Sequence, residues 1–261
     1  MTPTSLTTTP PGSAGRRPLV IAHRGASFEA PENTIAAFEL AAALGADGIA
    51  IDVRLSLDSQ PVVLRDANLD RTTSGTGPVE RRTVAELKRL DAGGWRGGRF
   101  RGQRVQTLQE VLERFRDRLE FWIELTAGSD RYPEIEDRVV ALLGIYGVLD
   151  RAVVQSLDHA ALARIRASDP DVRLAGLVNR GVLDPVAAAA AGWYAVGAEV
   201  KLVTRASIEA VRRTGLPWYV WTVNEPAQMD RLVALEPNGI LTDRPDLLRE
   251  RVAHARPVGE G

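Results

Sequence analysis

An α/β barrel of eight parallel strands with helices packed around it is the fold class that this 261-residue sequence predicts. Two observations predict it. Short apolar, β-branched runs alternate with helical segments almost from end to end, and strict alternation gives parallel βαβ units with right-handed crossovers. The runs number eight, enough to close a barrel, whereas an open doubly wound sheet would usually have fewer repeats and a glycine-rich first turn. The turn after the first run, HRGAS, does not match G-x-G-x-x-G.

PLVIAH (18–23) reads as the first strand, TIAAFELAAALG (34–45) as a helix closed by glycine, and GIAIDV (48–53) as the second strand. LEFWIEL (119–125), RAVVQS (151–156), VRLAGLV (172–178), YAVGAEV (194–200), PWYVWTV (217–223) and NGILTD (238–243) supply strands three to eight. Helices between them are LQEVLERFRDR, RYPEIEDRVVALLGIYG, DHAALARIRAS, TRASIEAVRRTG and NEPAQMDRLVAL. VAAAAAGW reads as a small-residue helix, not a cofactor box. Residues 54–106 interrupt the alternation with a hairpin at Pro61 to Leu64 and the polar stretch DRTTSGTGPVERRT. An insertion of that length in a compact domain is usually functional. Trp95 and the SGTG turn are assigned to its own packing.

The domain organisation expected is a flexible N-terminal tail over 1–17, one barrel over 18–252 that includes the insertion, and a C-terminal tail over 253–261. Hydrophobic residues at 44% and charged residues at 26% suit a globular chain and argue against disorder as the main state. The formal net charge of −1 offers no global attraction to nucleic acid or anionic membrane, so no nucleic-acid partner is expected. No run approaches the roughly 18 apolar residues of a membrane span. The absence of cysteine excludes disulfides, thiolate catalysis and cysteine-ligated metals. The Arg16-Arg17 pair is followed by too short an apolar run for a twin-arginine signal. A cytoplasmic protein is expected.

In a barrel the reactive side chains gather at the C-terminal ends of the strands. There the sequence places His23 and Arg24 after strand one, Asp52 in strand two, Glu124 in strand three, Gln155 and Ser156 in strand four, Glu199 in strand six, and Thr222 and Asn224 around the end of strand seven. One imidazole, two cations if Arg65 joins them, and several carboxylates suit an anionic substrate. A hard divalent cation held by carboxylate oxygens fits the same mixture.

The segments IAHRGASFEAPENTIAAFELAAALGAD, PVVLRDANLDRTTSGTGPV, ELKRLDAGGW, IEL, VVQSLDHAAL and VWTVNEPAQMDRLVALEPNGILTDRPDLL together resemble the glycerophosphodiester phosphodiesterase family. The resemblance runs from about residue 18 to 250 and implies a TIM barrel whose small insertion caps part of the mouth. It implies that His23 is a catalytic histidine and Arg24 a phosphate-binding arginine, with Glu32 and Asn33 beside the site. Asp52 and Glu124 correspond to two of three carboxylates that hold a divalent ion, Ca²⁺ or Mg²⁺. Trp221 and Asn224 correspond to the pocket wall, and the implied partner is a small-molecule phosphate ester; oligomeric state is not implied.

Three positions depart from the family pattern. Its Glu-x-Asp reads Ala50-Ile51-Asp52, its second catalytic histidine is Arg65, and its Glu-x-Lys reads Glu124-Leu125-Thr126. Arginine cannot exchange a proton near neutral pH because its pKa exceeds about 12, and losing one acid/base group typically removes about 10²–10⁴ in rate. With Ala50 in place of a carboxylate, reduced cation affinity is expected. Arg65, paired with Asp52 or Glu124, is a candidate to replace the metal as the fixed positive charge facing phosphate oxygens. Asp52 and Glu124 also suit a purely structural ion pair with Arg24 or Arg65. Glu199 is a candidate replacement acid. His159 reads as a helix-start or surface residue, His254 as solvated, and Asp66 as a turn cap.

Two functions follow. One is a phosphodiesterase-like enzyme with His23 as its sole imidazole and weak or absent metal dependence, or a related lyase or transferase with another phosphorylated substrate. The other is a non-catalytic barrel that keeps an anion pocket made by His23, Arg24 and Arg65.

Overall fold

A computed structural model describes residues 17–254. The expected N-terminal tail, apart from Arg17, and residues 255–261 of the expected C-terminal tail lie outside that range.

Ten strands form one sheet among the described residues. They are β1 (Leu19–His23), β2 (Gly48–Leu55), β3 (Pro61–Val63), β4 (Gln106–Thr107), β5 (Glu120–Leu125), β6 (Ala152–Ser156), β7 (Leu174–Val178), β8 (Ala195–Glu199), β9 (Trp218–Trp221) and β10 (Gly239–Thr242). Eight are mutually parallel, in the order β1-β10-β9-β8-β7-β6-β5-β2, and β1 pairs with β2 to close the cylinder. β3 and β4 extend the sheet antiparallel from β2. β2 therefore continues past the expected end at Val53, because residues 53–55 gain ladder partners in residues 61–63.

The helices start where the sequence supplies caps. Thr34 accepts from Ala37 N and opens Ile35–Ala43, so the helix is shorter than the 34–45 read from pattern alone. Thr107 and Glu110 form a capping box ahead of Leu108–Phe115, whose Leu108, Val111, Leu112 and Phe115 share the buried face. Thr204 and Ser207 do the same for Arg205–Thr214, which ends on Gly215 at a left-handed φ of 70°. A helix at Pro245–His254, not assigned from the sequence, follows β10. No helix among the described residues is long and apolar enough to cross a membrane.

The barrel interior is filled by one residue from each strand: Ile21, Ala50, Trp122, Val153, Ala175, Ala195, Tyr219 and Leu241. Trp122 and Tyr219 meet edge to face at 5.6 Å. Small residues on the neighbouring strands leave room for these two rings, and Ala50 is one of them. The interior is a packed plug, so any chemistry is confined to the layer above it.

Gly25 fixes the exit from β1. Its φ is +84°, and a Cβ there would lie 2.6 Å from the carbonyl carbon of Ala37 in the first helix. Gly77 has nearly the same φ, +82°, with nothing within 4 Å of the added carbon. Gly77→Ala is expected to lose only the left-handed backbone cost of about 1–2 kcal/mol, whereas Gly25→Ala loses that and a clash of about 1–3 kcal/mol more. Denaturant unfolding of the two variants measures the difference.

Candidate active site

The pleat that turns Ile21, Ala50, Trp122, Tyr219 and Leu241 inward turns the residues two positions later the same way, one layer nearer the mouth. Those residues are His23, Asp52, Glu124, Trp221 and Asp243. Strand register sets Asp52 opposite Glu124, and sets Ala50 between His23 and Trp122.

The loop after β1 holds Arg24 and Asn33 at left-handed φ values of 60° and 57°. Non-glycine residues there cost about 1–3 kcal/mol each and persist only when their surroundings fix them. Here both aim at one carboxylate. Arg24 Nε lies 2.9 Å from Asp52 Oδ2, and Asn33 Nδ2 donates to the same oxygen at 2.9 Å. Asp52, with a side chain only 3% exposed, is thereby compensated. Burial opposes the charge on Arg24, but Asp52 and Glu32 outweigh it and hold the guanidinium more firmly protonated than usual.

Glu32 accepts from Arg24 Nη1 at 3.0 Å and from Arg71 Nη1 and Nη2 at 2.7 and 2.8 Å. Its pKa is lowered although burial alone would raise it. Arg71 also donates to Asp66 at 2.5 Å, so Asp66 pairs with an arginine and does not merely cap a turn.

Arg65 arrives on the hairpin. Its Nε is 3.7 Å from Asp52 Oδ1 and its Nη1 is 3.8 Å from Glu124 Oε1. These are ion-pair distances too long for hydrogen bonds, so the fork spans the two acids and keeps its donors. The backbone of Arg65 is held by the buried Arg54, which donates from Nε and Nη2 to the Arg65 carbonyl at 3.0 and 2.7 Å and from Nη1 to Tyr132 Oη at 2.7 Å. Beside Arg65 opens a recess of about 530 Å³, lined by Arg54, Arg71, Asn68 and Asp70 among others.

His23 Nδ1 lies 2.7 Å from Asp243 Oδ1. A carboxylate only accepts, so Nδ1 carries the proton and Nε2 is left as the free ring nitrogen. Asp243 is itself oriented: Asn224 Nδ2 donates to its Oδ2 at 2.6 Å and Ser27 Oγ donates to its Oδ1 at 2.9 Å. Burial would raise the Asp243 pKa, but these partners and the imidazole bring it down to about 2.

The remaining candidates divide. Asn224 joins the His23 cluster through Asp243, and Trp221 lines the barrel interior with a buried indole N–H that has no partner. Glu199 pairs with Lys201 at 2.7 Å and makes no hydrogen bond or ion pair with His23, Arg24 or Arg65. Thr126, just after β5, donates to the Val53 carbonyl of β2 at 3.1 Å. His159 contacts the Leu177 carbonyl at 2.9 Å and packs edge-on against Trp193. Sequence reasoning did not single out Asp243, Arg71 or Arg54. Asp243 alone carried a signal, an acid two positions after an inward apolar residue.

Glu124 is the least compensated acid. Burial and the neighbouring Asp52 charge push its pKa up to about 7, against the opposing pull of Arg65, His23 and Arg24. Among the described residues there is no group of three or more His, Asp or Glu arranged to hold a metal ion.

Residues 23–247 match the model of the glycerophosphoryl diester phosphodiesterase family. A glycerophosphodiester phosphodiesterase of Caldanaerobacter subterraneus is 37% identical over 88% of this chain and 96% of its own length. One from Bacillus subtilis is 34% identical over 90% and 86%. The crystal structure of a glycerophosphodiester phosphodiesterase from Agrobacterium tumefaciens is 32% identical, with a TM-score of 0.79 over 90% of this chain and 99% of that one. An Oleispira antarctica phosphodiesterase solved with the product sn-glycerol-3-phosphate is 27% identical, with a TM-score of 0.85 over 91% and 97%.

The raised Glu124 pKa has a sign. The folded state favours the neutral acid, so its contribution to stability is complete below the ordinary value of 4.5 and is lost as pH rises through about 7. Glu124→Gln removes that loss. The variant is expected to match the parent near pH 4 and to exceed it at pH 8 by up to about 3 kcal/mol, read by denaturant unfolding at the two pH values.

Proposed function

The chain belongs to the glycerophosphoryl diester phosphodiesterase family, and from that premise we propose that it is a phosphodiesterase acting on a glycerophosphodiester or related phosphate ester, with His23 as its one catalytic imidazole. The observation that carries this reading is the His23–Asp243 pair at 2.7 Å, which leaves Nε2 free in the layer that also holds Arg24 and Arg65 on Asp52. The chain has no cysteine, and we place the protein in the cytoplasm.

The donor set does not fit a divalent cation. Such an ion wants about six oxygens, and the third carboxylate of the family pattern is replaced by the Ala50 methyl. One Asp52 oxygen is taken by Arg24 and Asn33, and both Glu32 oxygens are taken by arginines. The last two available acids face Arg65. We therefore assign the positive charge at the phosphorus centre to Arg65, with Arg24 as a second, more tightly held cation.

The chemistry then needs one proton carrier. His23 Nε2 takes a proton from the attacking water as the new P–O bond forms, and Asp243 stabilises the imidazolium. Arg65, with its longer contacts and a side chain 33% exposed, turns its fork onto two non-bridging oxygens. The bond to the leaving alcohol breaks, and its alkoxide takes a proton from solvent, since His23 is the only imidazole of the cluster among the described residues. Trp221 packs beneath the site as its apolar wall, and the recess beside Arg65 takes the rest of the diester.

Turnover should therefore depend steeply on the leaving group. Bis(p-nitrophenyl) phosphate, whose leaving group needs no proton, is expected to react well ahead of glycerophosphocholine. The rate is expected to be indifferent to EDTA and to added Ca²⁺ or Mg²⁺, and His23→Ala is expected to lower kcat by about 10²–10⁴. A rate that collapses in EDTA contradicts the metal-free assignment. No turnover of any diester, together with saturable binding of a phosphate ester, would make the protein a binding barrel instead.

A further inference from the structure

The insertion carries a surface that the reaction does not use. Residues 92–109, AGGWRGGRFRGQRVQTLQ, contain four arginines and no acid. Arg96, Arg99, Arg101 and Arg104 are all exposed, and none forms an ion pair among the described residues, in contrast to Arg24, Arg65 and Arg71.

The flanking acids are already committed. Asp91 accepts from the backbone N–H groups of Gly93, Gly94 and Gly102 at 2.8, 2.9 and 3.2 Å, which folds the loop and leaves its arginines outside. Glu110 caps its helix and pairs with Lys88. The loop also has a fixed place on the molecule. Arg96 donates to the Phe28 carbonyl and Arg99 to the Glu29 carbonyl at 3.1 Å, which brings the segment against the loop that carries His23 and Arg24.

A second observation points the same way. The described residues expose seven large apolar side chains, and six of them lie at the mouth end of the barrel. Phe28 follows β1, Leu57 follows β2, Trp95 is in the arginine loop, Leu157 follows β6, and Val182 and Val186 follow β7. Only Ile145 is elsewhere, at the end of a helix.

We propose that the mouth face of the barrel docks on an anionic phospholipid bilayer, with the four arginines over headgroup phosphates and Trp95 and Phe28 in the interfacial layer. Guanidinium groups bind phosphate oxygens, and tryptophan favours the water–lipid boundary. A Gly-Arg loop also suits an RNA backbone. The exposed Leu157, Val182 and Val186 decide for lipid, since aliphatic side chains offer nothing to a phosphodiester chain and suit the acyl boundary. The surface does not depend on which reaction the site catalyses.

Co-sedimentation of the full chain with vesicles tests this. Binding to phosphatidylcholine vesicles that contain phosphatidylglycerol is expected to exceed binding to phosphatidylcholine alone by at least about tenfold and to vanish at high salt. Each arginine near the leaflet is worth about fivefold, so Arg101→Glu with Arg104→Glu should cost more than about tenfold. The Arg101 side chain makes no hydrogen bond or ion pair among the described residues, and Arg101→Glu alone serves if the double variant fails to fold. Trp95→Ala should weaken what binding remains. Equal sedimentation with both vesicle types, variants that bind like the parent, or a homopolymeric RNA that displaces the protein from vesicles would each overturn the proposal.

Discussion

Asp52 is an almost completely buried carboxylate, and burying a charge costs several kcal/mol unless partners surround it. The three partners come from two separate places in the chain: Arg24 and Asn33 from the loop after β1, and Arg65 from the hairpin beyond β2. From there the charges alternate outward. Glu124, Arg65, Asp52, Arg24, Glu32, Arg71 and Asp66 form one line in which each neighbour has the opposite sign. The strained φ values at Arg24 and Asn33 become tolerable because this line fixes both side chains.

The line also sets the character of the site. Its inner end is acidic and undercompensated, which is why Glu124 is pushed up towards neutrality. Its cations differ in how firmly they are held: Arg24 touches Asp52 and Glu32 at about 3 Å, whereas Arg65 stands off at 3.7 and 3.8 Å. A guanidinium that is charged at every accessible pH and loosely held can reach a phosphate oxygen without first breaking a tight pair. The His23–Asp243 pair lies beside this line and provides its one imidazole.

Much of this was legible before any coordinates, and the reason is periodicity. The eight strands and the inward placement of His23, Asp52 and Glu124 follow from alternation within single strands, where two positions along the chain mean one layer up the barrel. The pairing of Arg65 with Asp52 or Glu124 was expected because the family resemblance puts a site residue at position 65, and opposite charge supplied the partners. What crossed the chain was harder. His23 and Asp243 are 220 residues apart, and nothing local in NGILTD says that its last acid closes against the first strand. Arg54 supports Arg65 only because the hairpin register brings the Arg65 carbonyl to it. The helix Pro245–His254 escaped notice because Leu248 and Val252 supply a short apolar stripe among charged residues. Trp95, assigned to packing within the insertion, donates its indole N–H to the Ala92 carbonyl at 3.0 Å but keeps 41% of its surface exposed.

If Arg65 supplies the charge that a divalent ion would bring, the two cannot share the same carboxylates. Crystals soaked in Mn²⁺ at neutral pH, read by anomalous scattering, test this directly. The expected result is no ion on Asp52 and Glu124, with the Arg65 guanidinium spanning them. A well-occupied ion on both acids, with Arg65 turned out of the mouth, would contradict it.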